Sequence, residues 1–237
     1  FMNKLKSDEV KAFYENWDVS KYPDYLKLLM EFEENLIFKI ILEDDFFKSL
    51  SKSHKNTKIL DCGCGFGSFY NLTKDFDTLY LDFSLNLLKK FKIEKNKICA
   101  NIENLPFKNG IFDLILCINV LEHVDFEKAV FEVKRVLKTN GRAYFIVVNA
   151  DSIINDEIFV DWKIPHNLIS KSDFKSIETD DFKIEYIISF YFLHPFFKLF
   201  PKLILKRIID LFFKNDEKIS KVLKFKGQFL ICKMVKK

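Results

Sequence analysis

From residue 58 to residue 149 the chain alternates between short apolar runs and segments whose apolar residues recur every three or four positions. The strand-like runs are Lys58–Cys62, Thr78–Asp82, Lys97–Ala100, Phe112–Ile118 and Ala143–Asn149. Helix-like segments fall between most of them, at Ser68–Asp75, Ser84–Phe91 and Asp125–Leu137, the last followed by a stop and turn at Thr139–Gly141. Strands alternating with helices predict an α/β fold whose parallel sheet is covered on both faces, with right-handed crossovers. Two later runs, Phe182–Phe192 and Gln228–Val235, extend the sheet, and the second closes it. The expected architecture is a Rossmann-like, doubly wound, seven-stranded and mostly parallel sheet.

Residues 8–50 read as helical. Leu28, Leu29, Phe32, Leu36, Ile40 and Phe47 follow helical spacing, with Glu31, Glu33, Glu34, Glu43, Asp44 and Asp45 between them, and a polar linker at 51–57 leads to the first strand. The pattern divides the chain into an N-terminal helical cap (1–57), a core (58–193), an amphipathic helical insert (194–226) and a closing strand of the core (227–237). The insert follows Tyr186–Phe197, an uncharged stretch broken by Pro195 and too short to cross a bilayer, which takes about 20 apolar residues. Lys198, Lys202, Lys206, Asp210 and Lys214 then recur every fourth residue among Leu, Ile and Phe. A narrow basic stripe beside a wide apolar face fits an interfacial membrane helix touching lipid through 194–214. It fits better a helical cap packed on the domain and lining an apolar pocket, a reading compatible with the first.

Composition narrows the picture only modestly. The length of 237 residues suits one large domain with an ample core. A net charge of +4 does not call for a nucleic-acid partner. Cys62, Cys64, Cys99, Cys117 and Cys232 form no C-x-x-C pair and mostly fall inside apolar runs, which predicts reduced thiols in a cytoplasmic protein. Cys62-x-Cys64 lacks zinc-site spacing, so no metal is expected. The N-terminus does not read as a secretory signal.

The chemistry is concentrated at strand ends. Ile59-Leu60-Asp61-Cys62-Gly63-Cys64-Gly65-Phe66-Gly67 is a buried strand that stops at a turn with almost no side chains. Glycine lets a backbone turn sharply and lie directly against a ligand, and this place in α/β folds binds nucleotides. Leu79-Tyr80-Leu81-Asp82 ends a second strand in a carboxylate, where an acidic residue accepts hydrogen bonds from ribose hydroxyls. The helix N-cap role that Asp82 could otherwise play is better served by Ser84.

Taken in order, this glycine turn, Asp82-Phe83, Asn101-Ile102-Glu103-Asn104-Leu105-Pro106-Phe107, Phe112-Asp113-Leu114-Ile115 and Asn119-Val120-Leu121-Glu122-His123-Val124 resemble the small-molecule branch of the class I methyltransferases that use S-adenosylmethionine (SAM). The resemblance spans about residues 58–150 and includes the turn Leu137–Arg142. It implies that Asp61 and the turn Gly63, Cys64, Gly65 and Gly67 hold the methionine end of SAM. It also implies that Asp82 holds the ribose, Phe83 and Ile102 flank the adenine, and Asn119 faces the methionine. Asn101 stands where the family usually has an aspartate; an amide can still accept the adenine amino group.

A hydroxyl or acidic carbon acceptor also needs a base. The candidates are His123, at the rim where substrates bind, Tyr14 and Tyr22, which also suit a lid over the cofactor, and His166. Other classes fit less well. An NAD-dependent oxidoreductase would want G-x-G-x-x-G. Nucleic-acid methyltransferases acting on exocyclic amines usually carry Asn/Asp-Pro-Pro-aromatic where this chain has Asn119-Val120-Leu121-Glu122. A methyltransferase-like fold kept as a non-catalytic binding or scaffold subunit is the third reading; the intact turn and Asp82 argue against lost cofactor binding and do not by themselves establish turnover. The insert points to a hydrophobic or lipid-like small acceptor, with no nucleic-acid partner expected.

Overall fold

A computed structural model describes residues 4–50, 56–94, 96–153, 167–193 and 199–237, with side chains from residue 8. His166 and residues 194–198 of the expected insert lie outside the described residues. The helical N-terminal region resolves into α1 (Lys4–Glu15), α2 (Asp24–Glu43) and α3 (Asp45–Leu50). The core follows as β1 (Lys58–Cys62), α4 (Tyr70–Thr73), β2 (Asp77–Asp82), α5 (Leu85–Lys90), β3 (Lys97–Cys99), β4 (Phe112–Ile118), α6 (Phe126–Val136) and β5 (Leu137–Val148). The last third holds α7 (Lys171–Ser176), β6 (Phe182–Phe190), α8 (Lys202–Leu223) and β7 (Phe229–Lys236).

The sheet has seven strands in the order β3-β2-β1-β4-β5-β7-β6. β7 runs antiparallel to β5 and β6, and the other pairings are parallel. β1 and β4 are central, which is why their sequences are nearly continuous apolar runs rather than alternating ones. Successive side chains still alternate between the faces. Leu60, Cys62, Ile115 and Cys117 enter the core beneath α6, while Ile59, Leu114, Leu116 and Ile118 enter the one shared with α2. The strand order reverses between β1 and β4, so a crevice opens at their carboxyl ends.

Two expected features differ. The helix read over Ser68–Asp75 is a single turn at Tyr70–Thr73, because the glycine turn itself occupies the residues before it. The stop and turn read at Thr139–Gly141 is absorbed into β5, where the pairing with β4 slips between Phe112 and Leu114 and Lys138 Nζ bonds Asp113 Oδ2 at 2.8 Å.

The N-terminal helices are fastened to the sheet by buried charge. Lys233 Nζ, on β7, donates to Asp44 Oδ1 and Oδ2 at 2.9 and 3.0 Å and lies 3.0 Å from Glu185 Oε2. Tyr144 and Tyr186 donate to the same Asp44 carboxylate. α8 packs against α2 and β6; Leu205 and Asp216 are buried, and Asp216 Oδ1 accepts from Tyr191 N at 3.0 Å. Its outer face leaves Leu203, Leu211 and Val222 exposed. Among the described residues no helix is long and apolar enough to cross a membrane.

Candidate active site

The crevice at the β1/β4 switch opens into a cavity of about 540 Å³. Its floor is the glycine turn. Leu81 O, at the end of β2, accepts from Gly63 N at 2.7 Å and Cys64 N at 3.0 Å. These bonds draw the turn against Asp82, whose Oδ2 accepts from Gly65 N at 2.8 Å and Oδ1 from Ser84 N at 2.8 Å. Ser84 in turn caps α5 by accepting from Leu87 N. Burial pushes the Asp82 carboxyl up against the pull of those N–H donors. Each oxygen keeps a lone pair for a ligand hydroxyl.

The three glycines have positive φ values of 75°, 55° and 93° for different reasons. At Gly63 a Cβ would meet Val120 Cγ2 at 2.1 Å, and at Gly67 it would meet the Phe91 ring at 2.2 Å. At Gly65 it would meet nothing within 4 Å, because that position faces the open cavity. Gly63, Cys64 and Gly65 line the cavity, whereas Gly67 lets Phe91 pack behind the turn. Asp61 is not among the lining residues either. Its carboxyl is fully buried with Oδ2 unpartnered, and burial plus nearby Asp82 push it up to about 7. Burial also raises the Cys64 thiol, so it stays protonated.

Phe83, Asn101, Ile102 and Asn119 all line the cavity. Asn101 caps the short 3₁₀ turn Ile102–Asn104, accepting from Glu103 N at 3.0 Å through Oδ1. Asn119, just past β4, has a φ of 55°, a left-handed conformation that Asn tolerates better than most residues. Its Nδ2 donates to Glu33 Oε1 at 2.6 Å, and its buried Oδ1 has no partner.

The outer wall comes from α1 and α2. The Tyr14 hydroxyl lies 2.9 Å from His123 Nε2, and the Tyr14 ring packs edge-on against Phe83 and His123. Burial, then the charge of Glu122, push the Tyr14 hydroxyl well above its usual range. Tyr14 therefore keeps its proton at neutral pH; it is a donor or relay, not an ionised base. Glu15 anchors α1, its Oε1 and Oε2 accepting from Leu85 N and Asn86 N at 3.1 and 3.3 Å at the start of α5, where a helix favours negative charge. Tyr22 does not line the cavity; it accepts from Trp17 Nε1 at 3.0 Å, and Trp17 lines the wall.

Sequence patterning missed Glu33, Glu34 and Glu122. Glu122 Oε1 accepts from Val148 N at 2.8 Å, Oε2 is unpartnered, and burial pushes the carboxyl up to about 7. Helical spacing could have found Glu33, which falls four residues from both Leu29 and Ile37 on the buried face of α2. Met30, Ile118, Val148 and Phe229 supply apolar lining. No described residue of α8 does, so α8 is a cap on α2 and the sheet rather than a wall of the pocket.

A family model described as a methyltransferase domain matches residues 60–145. The chain is 54% identical to an uncharacterised protein of Methanocaldococcus jannaschii over 96% of its length and 99% of that protein's. It is 28% identical to the ubiquinone biosynthesis O-methyltransferase of Pelagibacter ubique, over 68% of this chain and 75% of the relative. Its fold superposes on geranyl diphosphate C-methyltransferase of Streptomyces coelicolor with a TM-score of 0.60 at 14% identity, covering 98% of each chain. At that identity the likeness is one of fold.

Proposed function

We propose that this chain, a class I SAM-dependent methyltransferase by its methyltransferase domain at residues 60–145, methylates a small, apolar acceptor carrying no anionic group. The observation that carries this reading is one cavity joining the glycine turn and Asp82 to the Tyr14–His123 pair. Asp8, Glu33, Glu34, Asp82, Glu103 and Glu122 line it against Lys11, the lone lysine or arginine of its described lining. Such a surface suits a cofactor of net positive charge and disfavours an acceptor that brings further negative charge. Met30, Val148 and Phe229 favour an apolar partner beside it.

The residues present fit SAM. Gly65 leaves space where a side chain would intrude, and Asn119 Oδ1 is a buried acceptor awaiting a donor. Asp82 would hold the ribose hydroxyls, Phe83 and Ile102 would flank the adenine, and Asn101 would meet its amino group. Asn119 would face the methionine, and Asp61 would act from behind the turn. When bound, SAM supplies a methyl group already activated by its sulfonium. The protein's part is alignment and exclusion of water, and α1, held down by Glu15, closes the cavity to that end. For a hydroxyl acceptor, Tyr14 accepts the hydroxyl proton's hydrogen bond and passes a proton to His123 Nε2. Tyr22 supports Trp17 in the lid. The outer face of α8, with Arg207, Lys214 and Lys218 near Leu203, Leu211 and Val222, is the surface through which this chain would approach an anionic membrane.

Calorimetry with SAM, S-adenosylhomocysteine and NAD tests the reading. SAM and its demethylated product should bind and NAD should not. Asp82→Ala should weaken SAM by about 10- to 100-fold, the worth of a charged hydrogen bond. Binding of NAD alone, or unchanged SAM affinity in Asp82→Ala, would overturn it.

A further inference from the structure

α2 brings to the cavity a carboxylate that lies outside every nucleotide-binding signature of the chain. Glu33 follows Leu29 and precedes Ile37 by one helical turn each, and both neighbours are buried, so the helix carries Glu33 inward with them. There it meets the end of β4, where Asn119 Nδ2 donates to its Oε1 at 2.6 Å. Asn119 and the glycine turn are adjacent, since Val120 occupies the space a Gly63 side chain would need.

Two observations point to a positively charged occupant. The Asn119 Oδ1 beside Glu33 is buried without a partner in a residue that lines the cavity. The groups acting on Glu33 are almost all acidic or neutral: Glu34 on its own helix, Glu122 and His123 beyond β4, Tyr14 from α1 and Tyr191 after β6. Lys11 of α1 shares the cavity wall, and no ion pair joins any described cation to Glu33. Burial, with Glu34 and Glu122 adding to it, pushes the Glu33 carboxyl up to about 8 despite the Asn119 hydrogen bond.

We propose that Glu33 receives the positively charged methionine end of SAM, its α-ammonium or its sulfonium, and releases its own proton to solvent as that charge arrives. The proposal rests on the SAM reading of the site. The carboxyl O–H bond breaks, the proton goes to buffer, and the carboxylate is left against the incoming cation while still accepting from Asn119.

The test is calorimetry of the full chain with SAM in two buffers of different ionisation enthalpy, from pH 6 to pH 9. An acid titrating at about 8 is about nine-tenths protonated at pH 7. Glu33 of the wild type should therefore release about 0.9 proton per SAM at pH 7 and about 0.1 at pH 9. At the higher pH this is offset by protons the α-amine of SAM takes up, a contribution that Glu33→Gln retains and the difference between the two proteins removes. Affinity should rise from pH 6 toward pH 8. Glu33→Gln keeps an oxygen for Asn119 but cannot ionise. It should release essentially no proton from this position and bind SAM at least about tenfold more weakly at pH 9, with the gap closing toward pH 6. S-adenosylhomocysteine keeps the ammonium but lacks the sulfonium. Release with both ligands places Glu33 against the ammonium, and release with SAM alone places it against the sulfonium. Release undiminished in Glu33→Gln, where Glu122 and Asp61 can still contribute, or absent from the wild type, overturns the proposal and leaves the SAM site standing. Failure of SAM to bind at any pH overturns both.

Discussion

The alternating glycines Gly65 and Gly67 both have positive φ, 55° and 93°, and differ in what surrounds them, so replacing each by Ala separates stability from binding. An L-residue in the left-handed region costs about 1–2 kcal/mol at either site. At Gly65 that is the whole cost, because a Cβ there meets nothing within 4 Å. At Gly67 the Cβ would lie 2.2 Å from a Phe91 ring that is itself wedged edge-on against Tyr70 and Tyr80, adding an overpacking cost of about 1–3 kcal/mol. Gly67→Ala should therefore lose about 2–5 kcal/mol and Gly65→Ala about 1–2. For a chain of this size each kcal/mol moves the midpoint of thermal unfolding by about 2–4 °C. The assay is circular-dichroism melting with and without SAM. Ligand at a hundred times its dissociation constant stabilises by about 2.7 kcal/mol. Gly67→Ala should keep that upward shift, and Gly65→Ala should lose it because its methyl enters the cofactor's space. Adding Phe91→Leu should recover the overpacking part in Gly67→Ala and nothing in Gly65→Ala. A full SAM shift in Gly65→Ala, or equal losses at both sites with no relief from Phe91→Leu, would refute the assignment of the turn.

Three other outcomes follow from the same geometry. Tyr14→Phe removes the hydroxyl 2.9 Å from His123; transfer to a hydroxyl acceptor should fall by about 10²–10⁴-fold with SAM affinity little changed, measured by initial rates beside calorimetry. Asp44→Asn takes the charge from the buried Lys233 pair, which keeps Glu185; unfolding in urea should show a loss near 3 kcal/mol, the low end for a broken buried pair. Burial opposes ionisation of Asp44, but Tyr144, Lys233 and the Phe47 N–H outweigh it and hold the carboxyl below its usual range. The stability it gives is therefore present above the unfolded-state value, disappears as pH falls through the lowered native one, and should be missing from the acid limb of Asp44→Asn. Vesicle co-sedimentation checks the outer face of α8: anionic vesicles should retain the protein and neutral ones should not, and retention by neither removes the lipid reading.

The core was legible because its signals are local. β1 and β4 begin and end where their apolar runs do, Ser84 caps α5 as its position implied, and Asp82 closes β2 beside the turn. The outer wall of the cavity was not legible in the same way. The contact between Tyr14 and His123 joins residues 109 apart, and that from Asn119 to Glu33 joins residues 86 apart; no spacing rule reaches so far. Glu33 was read as one more polar position of an amphipathic helix, although its interval from Leu29 and Ile37 put it on the buried stripe. α8 was recognisable as amphipathic, but which neighbour its apolar face covers is a tertiary fact, and the answer is α2 and β6.

The grip of Glu15 on the first amides of α5 has a consequence for how this protein can change. The stretch matched by the family model, 60–145, builds the floor of the cavity, while Tyr14, Trp17, Met30 and Glu33 of its outer wall come from before it. The Glu15 carboxylate, the Tyr14–His123 contact and the Asn119–Glu33 bond all belong to the seam between the two. Redrafting the wall around Val10, Trp17 and Met30 would recut the lock for a new acceptor while the methyl donor's keyhole stayed as it is, so long as Tyr14, Glu15 and Glu33 were kept.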